Sequence, residues 1–146
     1  MEIKRDIYLQ KLINRMHNGM IKVITGIRRS GKSYLLFNIF RNYLKTQGVA
    51  DDHIIAIELD IYENKKYRDP RTLLEYTKSR MKDDKDYYIF LDEVQLLPDF
   101  VSVLNSFLHM QNVDVYVTGS NSKFLSKDVI TEFRGRGDEV HVFPVS

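Results

Sequence analysis

Hydrophobic residues follow two different rhythms along this chain. Unbroken apolar runs, such as residues 87–91, predict strands buried on both faces, whereas apolar residues spaced three or four apart, as after Pro98, predict helices. The predicted strands are residues 20–25, 53–59, 87–91, 113–118 and 139–143. The predicted helices are residues 6–17, 33–46, 70–81, a helix that opens at 98–99, and residues 122–133. This alternation predicts a three-layer α/β domain with a parallel five-stranded sheet between helices.

The composition is that of one ordinary globular domain. The chain has 146 residues, of which 43% are hydrophobic and 29% charged, and its formal net charge is +2. That charge is too small to indicate nucleic-acid binding by itself. Cysteine is absent, which excludes disulfides and thiolate metal sites. Because the first residues are too polar for a signal peptide and no apolar run approaches the ~20 residues of a membrane span, we expect a cytoplasmic protein without membrane contact.

Residues 26–33 read GIRRSGKS, which matches the phosphate-binding pattern G-x-x-x-x-G-K-[ST] without a mismatch. The motif lies between a predicted strand and a predicted helix, where a tight turn points backbone N–H groups inward and the positive end of the helix dipole supports them. Lys32 is expected to reach the β- and γ-phosphates, and Ser33 to bind Mg²⁺. The residues predicted to bind the nucleotide are Gly26, Arg29, Ser30, Gly31, Lys32, Ser33 and Tyr34.

A second candidate group ends the third predicted strand. Asp92 and Glu93 follow its apolar residues directly, so the carboxyl edge of a central parallel strand would place Asp92 beside the metal. Glu93 could then orient and deprotonate the attacking water. An Asp-Glu strand end is often only solvated, but its combination with the phosphate loop indicates nucleotide hydrolysis. Gln95 could help to position water, although we interpret it first as a surface polar residue.

The same motifs distinguish between classes of nucleotide-binding protein. The guanine-binding pattern Asn-Lys-x-Asp is absent, since residues 64–67 fail at the last position, and this disfavours GTP. A small-molecule kinase needs no carboxylate base where Glu93 stands. The sequence therefore favours ATP hydrolysis.

Two further segments could complete the site. Ser120, and after it Asn121, could reach the γ-phosphate and the attacking water, although Thr-Gly-Ser-Asn is also a good helix-capping turn. Arg134 or Arg136 could enter the nucleotide site of a neighbouring subunit and stabilise the charge of the transition state. The alternative is a glycine-rich turn with solvated arginines.

Other charged residues and the histidines give weaker indications of function. Arg28 and Arg29 either add to the positive field over the phosphates or are solvated or touch a neighbouring subunit or domain. Glu58 and Asp60, at the end of the second strand, could lie near the edge of the nucleotide, although we interpret them first as solvated carboxylates. The four histidines do not cluster at metal-ligand spacing.

Together these motifs resemble the AAA+ superfamily and, within it, the prokaryotic AAA-type ATPases known as AAA_14. The similarity lies in residues 26–33, 89–95, 117–120 and 135–136, and it covers nearly the whole chain. The resemblance implies the strand order 5-1-4-3-2. It also implies that Lys32 and Ser33 hold phosphates and Mg²⁺, that Asp92 holds Mg²⁺, and that Glu93 is the base.

Other properties are implied by the resemblance alone. Ser120 would be the phosphate-sensing residue, Arg136 would act in trans in a homo-oligomer, and residues 5–8 would line the adenine pocket. Such proteins typically carry a C-terminal domain called DUF4143. The chain departs from AAA+ proteins because it has no room for a helical lid, so the isolated core is expected to bind nucleotide weakly and to hydrolyse it poorly.

We therefore expect residues 1–146 to be the ATPase core of a longer protein. It would bind ATP with Mg²⁺, hydrolyse it to ADP and phosphate, and couple this to a conformational change in a C-terminal or partner domain. The alternative is a nucleotide-gated binding module with negligible turnover. The sequence leaves open whether the partner is a protein or a nucleic acid.

Overall fold

The computed structural model describes residues 2–26, 31–120 and 137–142, without the side chains of residues 2–5. The strands in these ranges are β1 (Ile21–Thr25), β2 (Ile54–Glu58), β3 (Tyr87–Asp92), β4 (Val113–Gly119) and β5 (Gly137–His141). The α-helices are α1 (Glu2–Arg15), α2 (Lys32–Tyr34), α3 (Arg41–Thr46), α4 (Pro70–Arg80) and α5 (Phe100–Leu108). A π-helical segment covers Leu35–Phe40, and 3₁₀ turns cover Asp51–His53, Tyr62–Arg68 and Val94–Leu96. Among these residues, no helix combines the length and hydrophobicity that a bilayer crossing requires.

The five strands form one parallel sheet in the order β2-β3-β4-β1-β5. Read from the other edge, this is the predicted order 5-1-4-3-2, so the fold class and the order are both confirmed. Every residue of β3 is buried, as its continuous apolar run required. One strand, β4, separates β3 from β1, and the two motif-bearing strands therefore lie about 10 Å apart.

Alternate residues of the strands pack into two separate cores, one on each face of the sheet. One core receives Leu73 of α4 and the apolar stripe of α5, including Leu104 and Phe107. The other receives Leu12 of α1 and the residues of the helix that follows the phosphate loop, including Phe40. Helices on both faces complete the predicted three layers.

The helix after the phosphate loop is not uniform, which the sequence did not predict. Its first turn is α2, its middle is the π-helical segment, and α3 completes it, with helical backbone angles at both junctions. Widened turns shift which residues face the sheet, and here Leu35, Leu36 and Phe40 are all buried. The irregularity begins at Leu35, directly after the last residue that the sequence predicted to bind the nucleotide, Tyr34.

The connection from β2 to α4 contains the 3₁₀ turn Tyr62–Arg68. Its 3₁₀ turn is fixed to the end of β2, because Asn64 Nδ2 donates to the Glu58 carbonyl at 3.0 Å and Arg68 Nε donates to the Leu59 carbonyl at 2.7 Å. Asp69 then caps α4 by accepting the Thr72 N–H. The predicted helix start at Pro70 is confirmed.

Other predicted elements differ from the structure or lie outside the described residues. Strand β5 begins at Gly137, two residues before the predicted start at 139, and the structure describes nothing of residue 143. The helix predicted over residues 122–133 also falls outside the described ranges.

Candidate functional site

The carboxyl ends of the parallel strands open into a cavity of about 730 Å³. A cavity of this size is large enough for a nucleotide-sized ligand. The described residues that line it are Gly31, Lys32, Ser33, Tyr34, Glu58, Asp60, Ile61, Asp92 and Glu93. Ligands of open α/β sheets bind at this edge, where strand order reverses and loops from neighbouring strands meet.

Gly31 is the N-cap residue of α2. Its φ of +93° lies in the left-handed region, which favours glycine. Apart from its chain neighbours, no atom of the described residues lies within 4 Å of a Cβ placed there. The backbone conformation therefore favours glycine at this position. Leu35 N–H donates to the Gly31 carbonyl at 2.9 Å and begins the helix.

Ser33 and Asp92 both line the cavity and contact each other. Ser33 Oγ donates a hydrogen bond to Asp92 Oδ2 at 3.0 Å, which connects α2 to the end of β3. The other carboxylate oxygen, Oδ1, accepts a hydrogen bond from the hydroxyl of Thr118. Both oxygens of Asp92 are therefore oriented by side chains from other elements.

Glu93 occupies a turn directly after β3. Its φ of 54° and ψ of 53° lie in the left-handed region, which is strained for a residue with a side chain and is found often at functional sites. Its backbone N–H donates to Thr118 Oγ1 at 3.0 Å. Its Oε1 accepts hydrogen bonds from Gln95 Nε2 at 2.8 Å and from Ser120 Oγ at 2.7 Å.

Lys32 lies against this carboxylate. Its Nζ is 3.7 Å from Glu93 Oε2, and the lysine side chain is only 4% exposed. A buried ammonium group is costly unless an anion neutralises it. In the described part of the site, Glu93 supplies that anion.

Burial also acts on the carboxyl groups of the cavity. Burial raises the pKa of Asp92 above its ordinary value, while the hydrogen bonds from Thr118 and Ser33 act in the opposite direction and the charge of Glu93 raises it further. Burial likewise raises the pKa of Glu58, with contributions from the charges of Asp92 and Asp60. The site thus concentrates negative charge that a cation would stabilise.

The structure brings together most of the predicted site residues that it describes. Gly31, Lys32, Ser33, Tyr34, Asp92 and Glu93 line one cavity, and Ser120 reaches it through Glu93. Gly26 directly follows β1. Other predicted site residues lie outside the described residues: Arg28, Arg29, Ser30, Asn121, Arg134 and Arg136.

Two interpretations from the sequence are wrong. Glu58 is half-buried rather than simply solvated, and it lines the cavity together with Asp60. Gln95 is not a simple surface residue, because its amide binds Glu93. Tyr8 packs into the core beneath α1, and a role for residues 5–8 in an adenine pocket stays a prediction.

Thr118 is the functional candidate that sequence reasoning missed. It is fully buried, and it bonds to both Asp92 and Glu93. The pairing of Leu91 with Val117 in the sheet places Thr118 next to the acidic pair. The implied strand order puts the fourth strand beside the third. A polar residue at the end of the fourth strand could therefore have indicated a contact with Asp92 and Glu93.

A parallel α/β sheet of this order, with the loop motif after β1 and the acidic pair after β3, defines the fold of the P-loop nucleoside triphosphatases. The chain belongs to the AAA_14 family of AAA domains, whose pattern it matches over residues 18–146. Family and fold together indicate nucleotide binding and suggest hydrolysis.

Two curated relatives are similar to this chain in sequence. An uncharacterized protein of Haemophilus influenzae is 34% identical over 145 residues, which cover 99% of this chain and 36% of that protein. The uncharacterized protein MJ1544 of Methanocaldococcus jannaschii is 33% identical over 151 residues, covering 99% of this chain and 30% of that protein. The chain thus spans about a third of the length of these relatives.

Solved structures with low sequence identity share the fold. A chain of Drosophila ORC bound to DNA is similar with a TM-score of 0.63 and 8% identity, covering 98% of this chain and 93% of that chain. C. elegans PCH-2 is similar with a TM-score of 0.60 and 14% identity, covering 98% of this chain and 40% of that chain. At these identities the likeness concerns the fold alone.

Proposed function

We propose that this domain binds ATP with Mg²⁺ and hydrolyses it to ADP and phosphate. The observation that carries the proposal is the contact between Ser33 and Asp92, because it joins the end of the phosphate-loop motif to the acidic strand end inside one cavity. Binding and turnover are tested separately, since the two need different residues.

The oxygens of Ser33 and Asp92 fit a magnesium ion. Mg²⁺ prefers hard oxygen ligands at 2.0–2.1 Å in an octahedron, so two neighbouring ligands lie about 3.0 Å apart. Ser33 Oγ and Asp92 Oδ2 are separated by 3.0 Å. The ion would neutralise charge on the phosphates, and it would favour the ionised form of Asp92, whose pKa burial raises.

Lys32 and Glu93 would divide the chemistry between them. The ammonium group of Lys32 would turn from Glu93 to the β- and γ-phosphates and offset their charge. Glu93 would accept a proton from water as the water oxygen bonds to the γ-phosphorus and the bond to the β–γ bridging oxygen breaks. ADP then leaves with the electron pair of that bond, and inorganic phosphate is released.

Substituting Glu93 tests this assignment in the full-length protein. Glu93→Gln should abolish multiple turnover, measured as phosphate release, while calorimetry still detects MgATP binding. Lys32→Ala should weaken binding itself. Glu75→Gln is the matched control, because Glu75 is exposed on α4. If no adenine nucleotide binds at saturating Mg²⁺, the proposal is wrong.

The same experiment separates an enzyme from a nucleotide-gated switch. A switch with negligible turnover would bind MgATP, and the wild type and Glu93→Gln would release phosphate at the same low rate. We infer that any cycle drives a conformational change in a C-terminal or partner domain. The DUF4143 identity of such a domain stays a prediction.

Action of Arg136 in trans likewise stays a prediction. Adding Arg136→Ala subunits to the wild type should depress turnover more than dilution does if neighbouring subunits share sites. Activity that follows the wild-type fraction linearly would contradict a shared site.

A further inference from the structure

The positive charge of the chain is concentrated in one connection, residues 61–80, which runs from the end of β2 to the end of α4. This basic connection contains six Lys and Arg residues and three Asp and Glu residues, a net charge of +3, whereas the whole chain carries +2. One of its three acidic residues, Asp69, is already engaged as the cap of α4. A local excess of this kind is what the overall net charge conceals.

Aromatic rings alternate with the basic residues of the connection. Tyr62 is 81% exposed, the highest exposure of any large hydrophobic side chain in the described residues, and Lys65 Nζ lies 6.0 Å from the centre of its ring. Lys66 Nζ lies 5.1 Å from the centre of the half-buried Tyr67 ring, which packs at 4.8 Å against the ring of Tyr76. Ammonium groups therefore stand beside aromatic faces along this surface.

Single-stranded nucleic acid fits this combination of groups. An exposed ring offers a face on which an unpaired base can stack, and neighbouring ammonium groups neutralise the phosphates. A duplex keeps its base faces inside the helix, so it would use the charges but not the ring. An acidic polypeptide would likewise contact the lysines without supplying a base to stack on Tyr62.

The basic connection is attached to the nucleotide cavity. Arg68 Nε donates to the carbonyl of Leu59 at 2.7 Å, and the N–H of Leu59 donates to the carbonyl of Asp92 at 3.2 Å. Ile61, the first residue of the connection, lines the cavity itself. A continuous set of hydrogen bonds therefore joins the proposed metal ligand to the basic surface.

We propose that residues 61–80 bind single-stranded nucleic acid, with a base stacked on Tyr62 and phosphates beside Lys65 and Lys66. The surface itself needs neither bound nucleotide nor hydrolysis. We expect MgATP to change its affinity for the strand through the link at Leu59, and this coupling alone rests on the proposed function. Thermodynamic linkage then requires the strand to change the affinity for MgATP by the same factor.

Fluorescence anisotropy of the full-length protein with labelled dT and U strands of about 20 nucleotides tests the surface. A strand of either sugar should bind more tightly than a duplex of the same length. Tyr62→Ala should weaken binding about tenfold, the effect of losing one stacked base, whereas Tyr62→Trp should retain it. Because Tyr62 is exposed, thermal unfolding of both variants should match that of the wild type.

Replacing Lys65 and Lys66 by glutamine tests the phosphate contacts. Loss of two contacts should reduce the slope of log affinity against log salt concentration by about 1.4. The matched control is Lys11→Gln with Lys85→Gln, because both lysines are exposed and lie outside the basic connection. This control should leave the affinity and the slope unchanged.

Three results would overturn the proposal. The first is a wild-type protein that binds no single strand, and the second is binding that neither Tyr62→Ala nor the Lys65 and Lys66 substitutions weaken. The third is binding of polyglutamate, lost on replacing the two lysines, by a protein that prefers it to every strand, because the surface would then recognise acidic polypeptide.

Calorimetry with MgATP separates this inference from the proposed function. Tyr62→Ala should bind MgATP like the wild type, since Tyr62 is not among the residues that line the cavity. Wild-type protein that binds the strand but no adenine nucleotide would refute the proposed function and leave the surface supported. Equal strand affinity with and without bound MgATP would refute the coupling.

Discussion

The hydroxyl group of Thr118 donates a hydrogen bond to Oδ1 of Asp92, which joins β4 to the end of β3. The same hydroxyl oxygen accepts the backbone N–H of Glu93 at 3.0 Å. One fully buried side chain thus orients the proposed metal ligand and fixes the turn that carries the proposed base. Supporting contacts of this kind commonly decide how well a metal site works.

Thr118→Val should therefore affect both stability and activity. Valine has the same shape but leaves the Glu93 N–H and Asp92 Oδ1 without their partner, which should cost about 1–3 kcal/mol in the free energy of unfolding. Urea unfolding measures this loss, and phosphate release measures the activity. Thr118→Ser keeps the hydroxyl and should recover most of the activity. Wild-type activity in Thr118→Val would contradict the positioning role.

Ser33→Ala should weaken the response to magnesium. Removing one of the two proposed oxygen ligands should raise the Mg²⁺ concentration for half-maximal hydrolysis about tenfold. A magnesium titration at saturating ATP measures the shift. Ser106→Ala, on the exposed side of α5, should leave the titration unchanged. If both variants titrate like the wild type, Ser33 is not a metal ligand.

His53 should make stability depend on pH far from the site. Its hydrogen bond with Asp83 is the main cause that raises the pKa of His53 above 6.5, and the same contact lowers the pKa of Asp83 below 3.8. The contribution of His53 is thus complete below pH 6.5 and is lost as the pH rises through its folded-state pKa. The contribution of Asp83 is present above pH 3.8 and is lost as the pH falls through its own folded-state pKa.

Replacing His53 tests the predicted direction of the pH dependence of stability. Urea midpoints of the wild type should decline from about pH 6 to about pH 8, and His53→Gln should flatten that decline. His109→Gln is the control because His109 is exposed at the end of α5. A His53→Gln curve parallel to that of the wild type would show that the pair does not contribute.

Asp114 should be among the most sensitive positions for stability. It is buried, its Oδ1 lies 2.5 Å from Lys22 Nζ, and its Oδ2 accepts hydrogen bonds from Tyr116 and from the His17 backbone. Asp114→Ala leaves the buried ammonium group uncompensated and should cost about 3–5 kcal/mol in the free energy of unfolding.

The paired substitution distinguishes this explanation from simple loss of volume. Lys22→Met with Asp114→Leu removes both charges, and this double variant should be more stable than Asp114→Ala. Asp84→Ala, at an exposed turn, serves as the control. Equal destabilisation of the single and double variants would argue against the buried charge as the cause.

The sequence predicted those features that depend on neighbouring residues. The phosphate-loop motif is one contiguous segment, and the run before Asp92 marked β3 as a buried central strand. The helix start at Pro70 was also local. The π-helical segment was not predictable in this way, because Leu35 and Leu36 fit an ordinary helix equally well by spacing.

Contacts between distant segments could be predicted from the sequence only in part. The family resemblance gave the strand order, and that order brings the ends of β1, β3 and β4 to one edge. It did not indicate that Thr118, rather than Ser120 alone, supports the acidic pair. Nor did it show that Glu58 faces the cavity, since burial depends on what packs against the end of β2.

By itself, the sequence determined the strand–helix alternation, the phosphate-loop motif and the acidic pair, because each is set by residues close together in the chain. Only the tertiary structure decided that Lys32 faces Glu93, that Thr118 joins Asp92 to Glu93, and that Gln95 binds the proposed base. Those contacts depend on strand register and on the left-handed turn at Glu93. Register and side-chain direction are fixed by the packing of the whole sheet, and no local pattern of residues contains them.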